Sequence, residues 1–117
     1  MEAATEEVET GWIVGGVRCV YGTDTAIAGD IIFGNVGSGG GGPITVTLPA
    51  SPTAGDEVTI MDGTGTGGFA SNNCTVGRNL EPIQGAASDF VMATNNQSVT
   101  FIYIDATKGW QLKSTNT

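Results

Sequence analysis

Apolar and polar residues alternate along much of the chain, and this period of two is typical of half-buried β-strands. The clearest alternation covers residues 44–48, where two threonines separate three aliphatic residues. The same pattern returns over residues 57–61. We therefore predict one strand in each stretch and a core that includes their aliphatic residues, which are Ile44, Val46, Leu48, Val58 and Ile60.

Shorter alternating segments predict the remaining strands, and turn residues separate them. Gly15 and Gly16 interrupt the first of these segments, so we expect a bulge or turn there. Ile31 and Phe33 share one face of another. About seven to nine short strands, with turns about every 8–12 residues, indicate an all-β fold, either an antiparallel β-sandwich or a barrel-like domain. The segments are 12–21, 30–36, 74–76, 83–87, 90–92 and 110–112.

The most hydrophobic predicted strand lies near the C-terminal end of the chain and is apolar on both faces. One face carries Val99, Phe101 and Tyr103, and the other carries Ile102 and Ile104. A strand of this kind is buried either in the centre of a sandwich or between subunits. We therefore expect the domain to associate with neighbouring subunits or proteins.

Length and composition favour one domain built from strands. The chain has 117 residues, 19 of them glycine, and 14% are charged. Long helices are disfavoured, because glycine costs about 1 kcal/mol at each helical position. We predict glycine-rich loops such as the run at 37–42, an acidic N-terminal segment over 1–23 that holds the first strand or strands and contacts a partner or subunit, and a β-sandwich domain over 24–117.

The charge balance excludes one class of partner. Twelve acidic and four basic residues give a net charge of −8, whereas nucleic-acid binding requires a basic surface. We therefore predict no nucleic-acid partner. No apolar run approaches the roughly 18 residues of a membrane span, and residues 1–10 lack the features of a signal peptide, so we expect neither a membrane partner nor export.

The chain offers little chemistry. It has no histidine, and its two cysteines, Cys19 and Cys74, do not form a Cys-x-x-Cys motif, so we predict no metal and no cofactor. Two hypotheses remain for the cysteines: reduced thiols packed as small apolar groups, or a disulfide in an oxidising compartment. Most acidic residues beyond the N-terminal segment fall at turns, where Asp caps the backbone. We predict no catalytic residue and no enzymatic activity.

Glycine and threonine dominate the loop at 62–73. Its run at 63–68 resembles a phosphate-binding loop only superficially, because no Gly-Lys-Ser/Thr motif follows. A single carboxylate is also too few for a calcium site. We single out four residues of this segment as a candidate exposed recognition loop, namely Asp62, Thr64, Thr66 and Phe69.

Several motifs, taken in order, resemble a β-rich module of tailed-phage virion proteins. The longest is ITVTLPASPTAGDEVTIMD at 44–62, and shorter ones follow it along the chain. The resemblance covers roughly residues 24–112. It departs at Leu80, because the module usually carries glycine after the Arg-Asn pair. The shorter motifs lie at 72–79, 83–87, 98–103 and 109–110.

The resemblance implies a non-enzymatic, commonly trimeric structural protein of the virion. Our leading hypothesis is a capsid decoration or cement protein that binds the major capsid protein on the capsid exterior and is assembled in the host cytoplasm. The alternative is a tail or head fibre tip that binds a host-surface glycan or protein through the 62–73 loop. The candidate subunit or capsid interface residues are Trp12, Val14, Val17, Tyr21, Ile102 and Ile104.

Overall fold

The computed structural model describes residues 10–14, 17–20, 22–36, 43–64 and 68–116, with only the backbone described at 10–14, 18 and 114–116. Within these ranges the chain forms ten β-strands and no helix, which confirms the all-β fold class. The strands are β1 Thr10–Val14, β2 Val17–Val20, β3 Thr23–Thr25, β4 Ile31–Gly34, β5 Ile44–Thr47, β6 Glu57–Asp62, β7 Cys74–Gly77, β8 Phe90–Met92, β9 Ser98–Asp105 and β10 Gly109–Asn116.

The strands form two open sheets. The six-stranded sheet has the order β1-β2-β4-β6-β9-β10, and the four-stranded sheet has the order β3-β5-β7-β8. From β2 to β7 successive strands alternate between the two sheets. Neighbouring strands within one sheet are therefore separated by a strand of the other sheet, and they run in the same direction. The pairings β2 with β4, β4 with β6, β3 with β5 and β5 with β7 are therefore parallel.

The predicted antiparallel arrangement was therefore wrong for the first half of the fold, and it holds for the hairpin β1-β2 and for the C-terminal strands. The barrel-like alternative was also wrong for the described strands, because neither sheet closes on itself. The physical reason is that alternation along a strand reports which face is buried but not the direction of the neighbouring strand.

One apolar core lies between the two sheets. The six-stranded sheet contributes residues such as Ile60 and Phe101, and the four-stranded sheet contributes residues such as Val46 and Val76, all of them fully buried. The five residues predicted to point inward from β5 and β6, or just after β5, are buried. Each large aliphatic side chain that is buried here stabilises the folded state by about 2 kcal/mol, so this core is the main source of stability.

The C-terminal hairpin of β9 and β10 rests against residues 82–85. The Trp110 N–H donates to the Pro82 carbonyl at 2.8 Å, and the Gln84 N–H donates to the Trp110 carbonyl at 2.7 Å. The edge strand predicted at 83–87 is reduced to isolated bridges, in which Ile83 pairs with Ala86 and Trp110. The Trp110 side chain is completely buried and belongs to the core.

Candidate functional site

The six-stranded sheet turns one face to the core and the opposite face away from it. The pairing register identifies the residues that point away from the core, because side chains alternate along each strand and paired residues share a face. We call the surface that these residues form the outer face. Its members are Val17 and Cys19 on β2, Ile31 and Phe33 on β4, Glu57, Thr59 and Met61 on β6, Ser98, Thr100, Ile102 and Ile104 on β9, and Gln111 and Lys113 on β10.

The outer face is apolar or uncharged over most of its described area. Its described charged side chains are Glu57 and Lys113, which neutralise each other in a salt bridge of 2.9 Å. The hydroxyls of Thr59 and Thr100 share a hydrogen bond of 3.0 Å at its centre. Because strands lie about 4.8 Å apart, six of them make a surface about 25 Å wide, which is wide enough to contact another folded protein.

Three of the predicted interface residues lie together on the outer face. Val17 and Ile102 are partly exposed, and Ile104 is 42% exposed. The two-sided apolar character predicted for β9 therefore has a structural basis: one face is in the core and the other is on this surface. Tyr21 lies outside the described residues, as do the side chains of Trp12 and Val14.

Asp62 ties the predicted recognition loop to the fold. Its carboxylate accepts backbone N–H groups from Thr64 at 2.9 Å, Phe69 at 3.1 Å and Asn96 at 2.9 Å. The Thr64 hydroxyl in turn accepts the Val36 N–H at 3.0 Å. The Asp62 carboxylate and the Thr64 hydroxyl are thus used within the chain, and Asp62 holds the loop against the 95–97 turn.

These contacts set the charge state of Asp62. Burial acts to raise the pKa of its carboxyl group, but the backbone amides of Asn96, Thr64 and Phe69 outweigh burial and hold the pKa below its ordinary value of 3.8. The carboxylate therefore stabilises the fold at neutral pH. This contribution is fully present above pH 3.8 and is lost as the pH falls through the lower pKa of the folded state.

Asp62→Asn is expected to lower the free energy of unfolding by about 2–3 kcal/mol at pH 7, because an amide loses the charge and one of two acceptor oxygens while three donors stay in place. The difference between wild type and variant should narrow as the pH falls below 3.8. Urea unfolding between pH 2 and pH 7 measures both effects.

Asp89→Asn is the matched control, since Asp89 is exposed and its described contact is with one amide, that of Arg78. Equal losses in the two variants would contradict this role for Asp62.

Phe69 was wrongly assigned to the exposed loop, because its side chain is completely buried. Glycines make room for it: a Cβ on Gly34 would lie 3.0 Å from the Phe69 ring and 2.6 Å from Ile44. Gly68, at φ +86°, brings the chain past Asp62 and Asn95 where a side chain would collide with their oxygens. Thr66 lies outside the described residues.

Both cysteines are free, and they lie on different sides of the six-stranded sheet. Cys19 belongs to the outer face, and burial raises the pKa of its thiol. Cys74 points into the core, where burial and then the nearby Asp62 charge raise the pKa of its thiol to about 12. The structure has no disulfide between these two residues, and neither thiol has the low pKa of a nucleophile.

The described residues contain no group of three or more Cys, Asp or Glu side chains that is able to hold a metal ion. In the same ranges, no helix has the length and apolar character needed to cross a membrane.

The backbone geometry of one surface turn did not follow from the sequence. Asn79 and Leu80 both have positive φ, at 51° and 77°, and the Glu81 N–H donates to the Arg78 carbonyl at 3.3 Å. This is the geometry of a type I′ turn, whose second central position is normally glycine. The departure at Leu80 was visible in the sequence, but its exposure was not.

The chain matches no protein-family model. Comparison with curated proteins also gives no match.

Proposed function

We propose that the chain is a non-enzymatic structural protein of a phage virion, and that it acts as a capsid decoration or cement protein. The outer face of the six-stranded sheet is the observation that carries this proposal. A face about 25 Å wide that carries no excess charge among its described side chains, and seven apolar residues, is unusual on a monomer with so acidic a surface. The ordered motifs that resemble virion modules support the same conclusion.

The outer face fits contact between copies of the chain. Each copy carries a net charge of −8, so two copies repel unless they meet through surfaces without excess charge. On the outer face Glu57 and Lys113 neutralise each other. Three copies joined through such a face would form a homotrimer, the state that the resemblance to virion modules implies, with the same apolar residues buried in every subunit.

The mechanism is adhesive. A trimer presents three copies of one contact to the major capsid protein, and simultaneous binding raises the overall affinity without any new contact. Many such trimers on the capsid exterior would connect neighbouring capsid subunits and resist the pressure of the packaged genome. Assembly onto the shell would take place in the host cytoplasm. No catalytic step, cofactor or nucleic-acid contact is required.

The alternative role, a fibre tip that recognises a host-surface glycan or protein, has less support. That role assigned recognition to the 62–73 loop. The Asp62 carboxylate binds three amides of its own chain, Thr64 is bonded to Gly34 and Val36, and Phe69 is in the core. These three residues of the predicted recognition loop therefore stabilise the fold instead of presenting free groups to a receptor.

Heat stability of capsids tests the proposal. Particles of the phage that encodes the chain, produced without its gene, are heated with a dye that reports released DNA. Added wild-type protein should bind these particles and raise the temperature of DNA release, because bound copies connect capsid subunits. Protein that fails to bind, or that binds without changing the release temperature, would contradict a cement role.

A further inference from the structure

Leu80 occupies a position in its turn that suits it poorly. Asn79 is well placed there, because asparagine tolerates positive φ and its side-chain amide donates to the Leu48 carbonyl at 2.9 Å. Leu80 at φ 77° has no such justification. A branched side chain in this region of backbone space is strained, and glycine would relieve the strain.

The strain is not offset by burial within the chain. Leu80 is 86% exposed, more than any other large apolar side chain that the structure describes. A leucine with a strained backbone and an exposed side chain stabilises neither the turn in which it lies nor the core of the domain. Such a residue is explained when its side chain is buried against another molecule, where an apolar anchor that fills a pocket dominates binding.

Leu80 belongs to one end of the molecule, where β3, β5 and β7 finish side by side. The ends of these strands are joined by hydrogen bonds of 2.8 Å from the Ala26 N–H to the Thr47 carbonyl and from the Leu48 N–H to the Gly77 carbonyl. Ile27, which is 66% exposed, follows β3 at this end. We call this region the exit end.

The exit end is acidic. Asp56 lies between β5 and β6, and Glu81 and Asp89 lie between β7 and β8, where Arg78 is the base. The β9–β10 turn adds Asp105 and Lys108, and it is joined to the segment after β7 by a hydrogen bond of 2.9 Å from the Gly85 N–H to the Lys108 carbonyl. Glu81 is held beside β9 by a hydrogen bond of 2.9 Å from the Tyr103 hydroxyl. An apolar anchor that is surrounded by negatively charged side chains complements an apolar pocket with positively charged side chains at its rim. A second copy of the chain would bring like charge to this end, so the occupant is a different protein.

We propose that Leu80 is the apolar anchor through which the exit end docks into a hydrophobic pocket, rimmed by lysine or arginine, on a protein of the capsid shell. This inference rests on the proposed cement function and adds the orientation of the bound protein to it. The outer face then joins copies of the chain to one another, and the exit end, with Leu80 at its tip, faces the shell.

Leu80→Gly separates this role from a structural one, because the two effects have opposite signs. The variant should unfold about 4 °C above wild type, since glycine relieves the strained turn. Its affinity for particles that lack the protein should fall about tenfold or more. Leu80→Asn, which tolerates positive φ but is polar, should also lose affinity. Val91→Thr is the control: the Val91 side chain is 50% exposed on the outward face of the four-stranded sheet and not at the strand ends, so its replacement should leave binding unchanged.

Co-sedimentation of labelled protein with these particles measures the affinity, and binding of wild type should weaken as salt is raised. Wild-type affinity in both Leu80 variants would overturn the anchor and leave the cement function standing. A melting temperature of Leu80→Gly at or below that of wild type would overturn the strain on which the inference depends. Wild-type protein that is folded but does not bind the particles would overturn the cement function and the anchor together.

Discussion

Gly109→Ala is expected to lower the free energy of unfolding by about 4 kcal/mol. Gly109 begins β10 at φ +70°, and a Cβ there would overlap the Pro82 carbonyl oxygen and lie 2.9 Å from the Pro82 Cα. Both obstacles are backbone atoms, which cannot rotate away. Relief requires the 82–85 segment to move and break its hydrogen bonds to Trp110 and Lys108, and each lost bond costs about 1 kcal/mol.

Gly85→Ala is the matched control for this prediction. Gly85 has nearly the same φ, +79°, and lies in the same contact region, but a Cβ there would meet nothing within 4 Å. Its replacement should cost only about 1 kcal/mol for the left-handed backbone. Urea unfolding of the two variants therefore separates steric overlap from backbone preference. Equal losses would show that Pro82 does not pack against Gly109 as the structure has it.

Met61→Glu is expected to convert the proposed homotrimer to monomers and to weaken self-association at least about 100-fold. Met61 is partly exposed on the outer face, beside Phe33 on β4 and Ser98 on β9. A glutamate there would place one buried, unpaired carboxylate per subunit in the contact between copies. Desolvation of those charges and their mutual repulsion both oppose association.

Val91→Glu provides the control for a charge placed on a sheet surface. Val91 projects from the four-stranded sheet on the opposite side of the molecule, and its replacement should leave the oligomer intact. Analytical ultracentrifugation gives the mass of each species, and circular dichroism establishes that each variant is folded. A folded Met61→Glu variant with the mass of wild type would show that the outer face does not join the copies.

Much of the fold was predictable because burial of one strand face leaves a period-two pattern. The alternation of Ile44, Val46 and Leu48 identified β5 and its inward residues. The pair Asn95-Asn96 before β9 is another local signal, because asparagine tolerates positive φ and Asn96 has φ 63°. These signals are local, since each depends on a few consecutive residues and the face that they share.

Features that depend on partners distant in sequence were not predictable. Residues 31–33 are all apolar, so alternation does not reveal that Ile32 faces the core and that Ile31 and Phe33 face outward. The parallel pairings arise from the order in which the chain visits two sheets, and no single strand records that order.

In the candidate site, too, the local features were predictable from the sequence and the features that depend on distant residues were not. Val17, Ile102 and Ile104 were chosen for their apolar character, and pairing across four strands places them on one surface. Phe69 was misplaced because a glycine-rich loop predicts exposure, whereas Gly34 leaves a space in the core that its ring fills. The neutral character of the outer face depends on a salt bridge between residues 57 and 113, which only the folded chain brings together.

Electron cryomicroscopy of intact particles of the phage that we propose encodes the chain tests the proposed function most directly. The account predicts density for the two-sheet domain on the capsid exterior, in groups of three, with the outer faces meeting between copies and the Leu80 end directed at the shell. Density at a tail or head fibre tip, or particles that contain none of the protein, would contradict it.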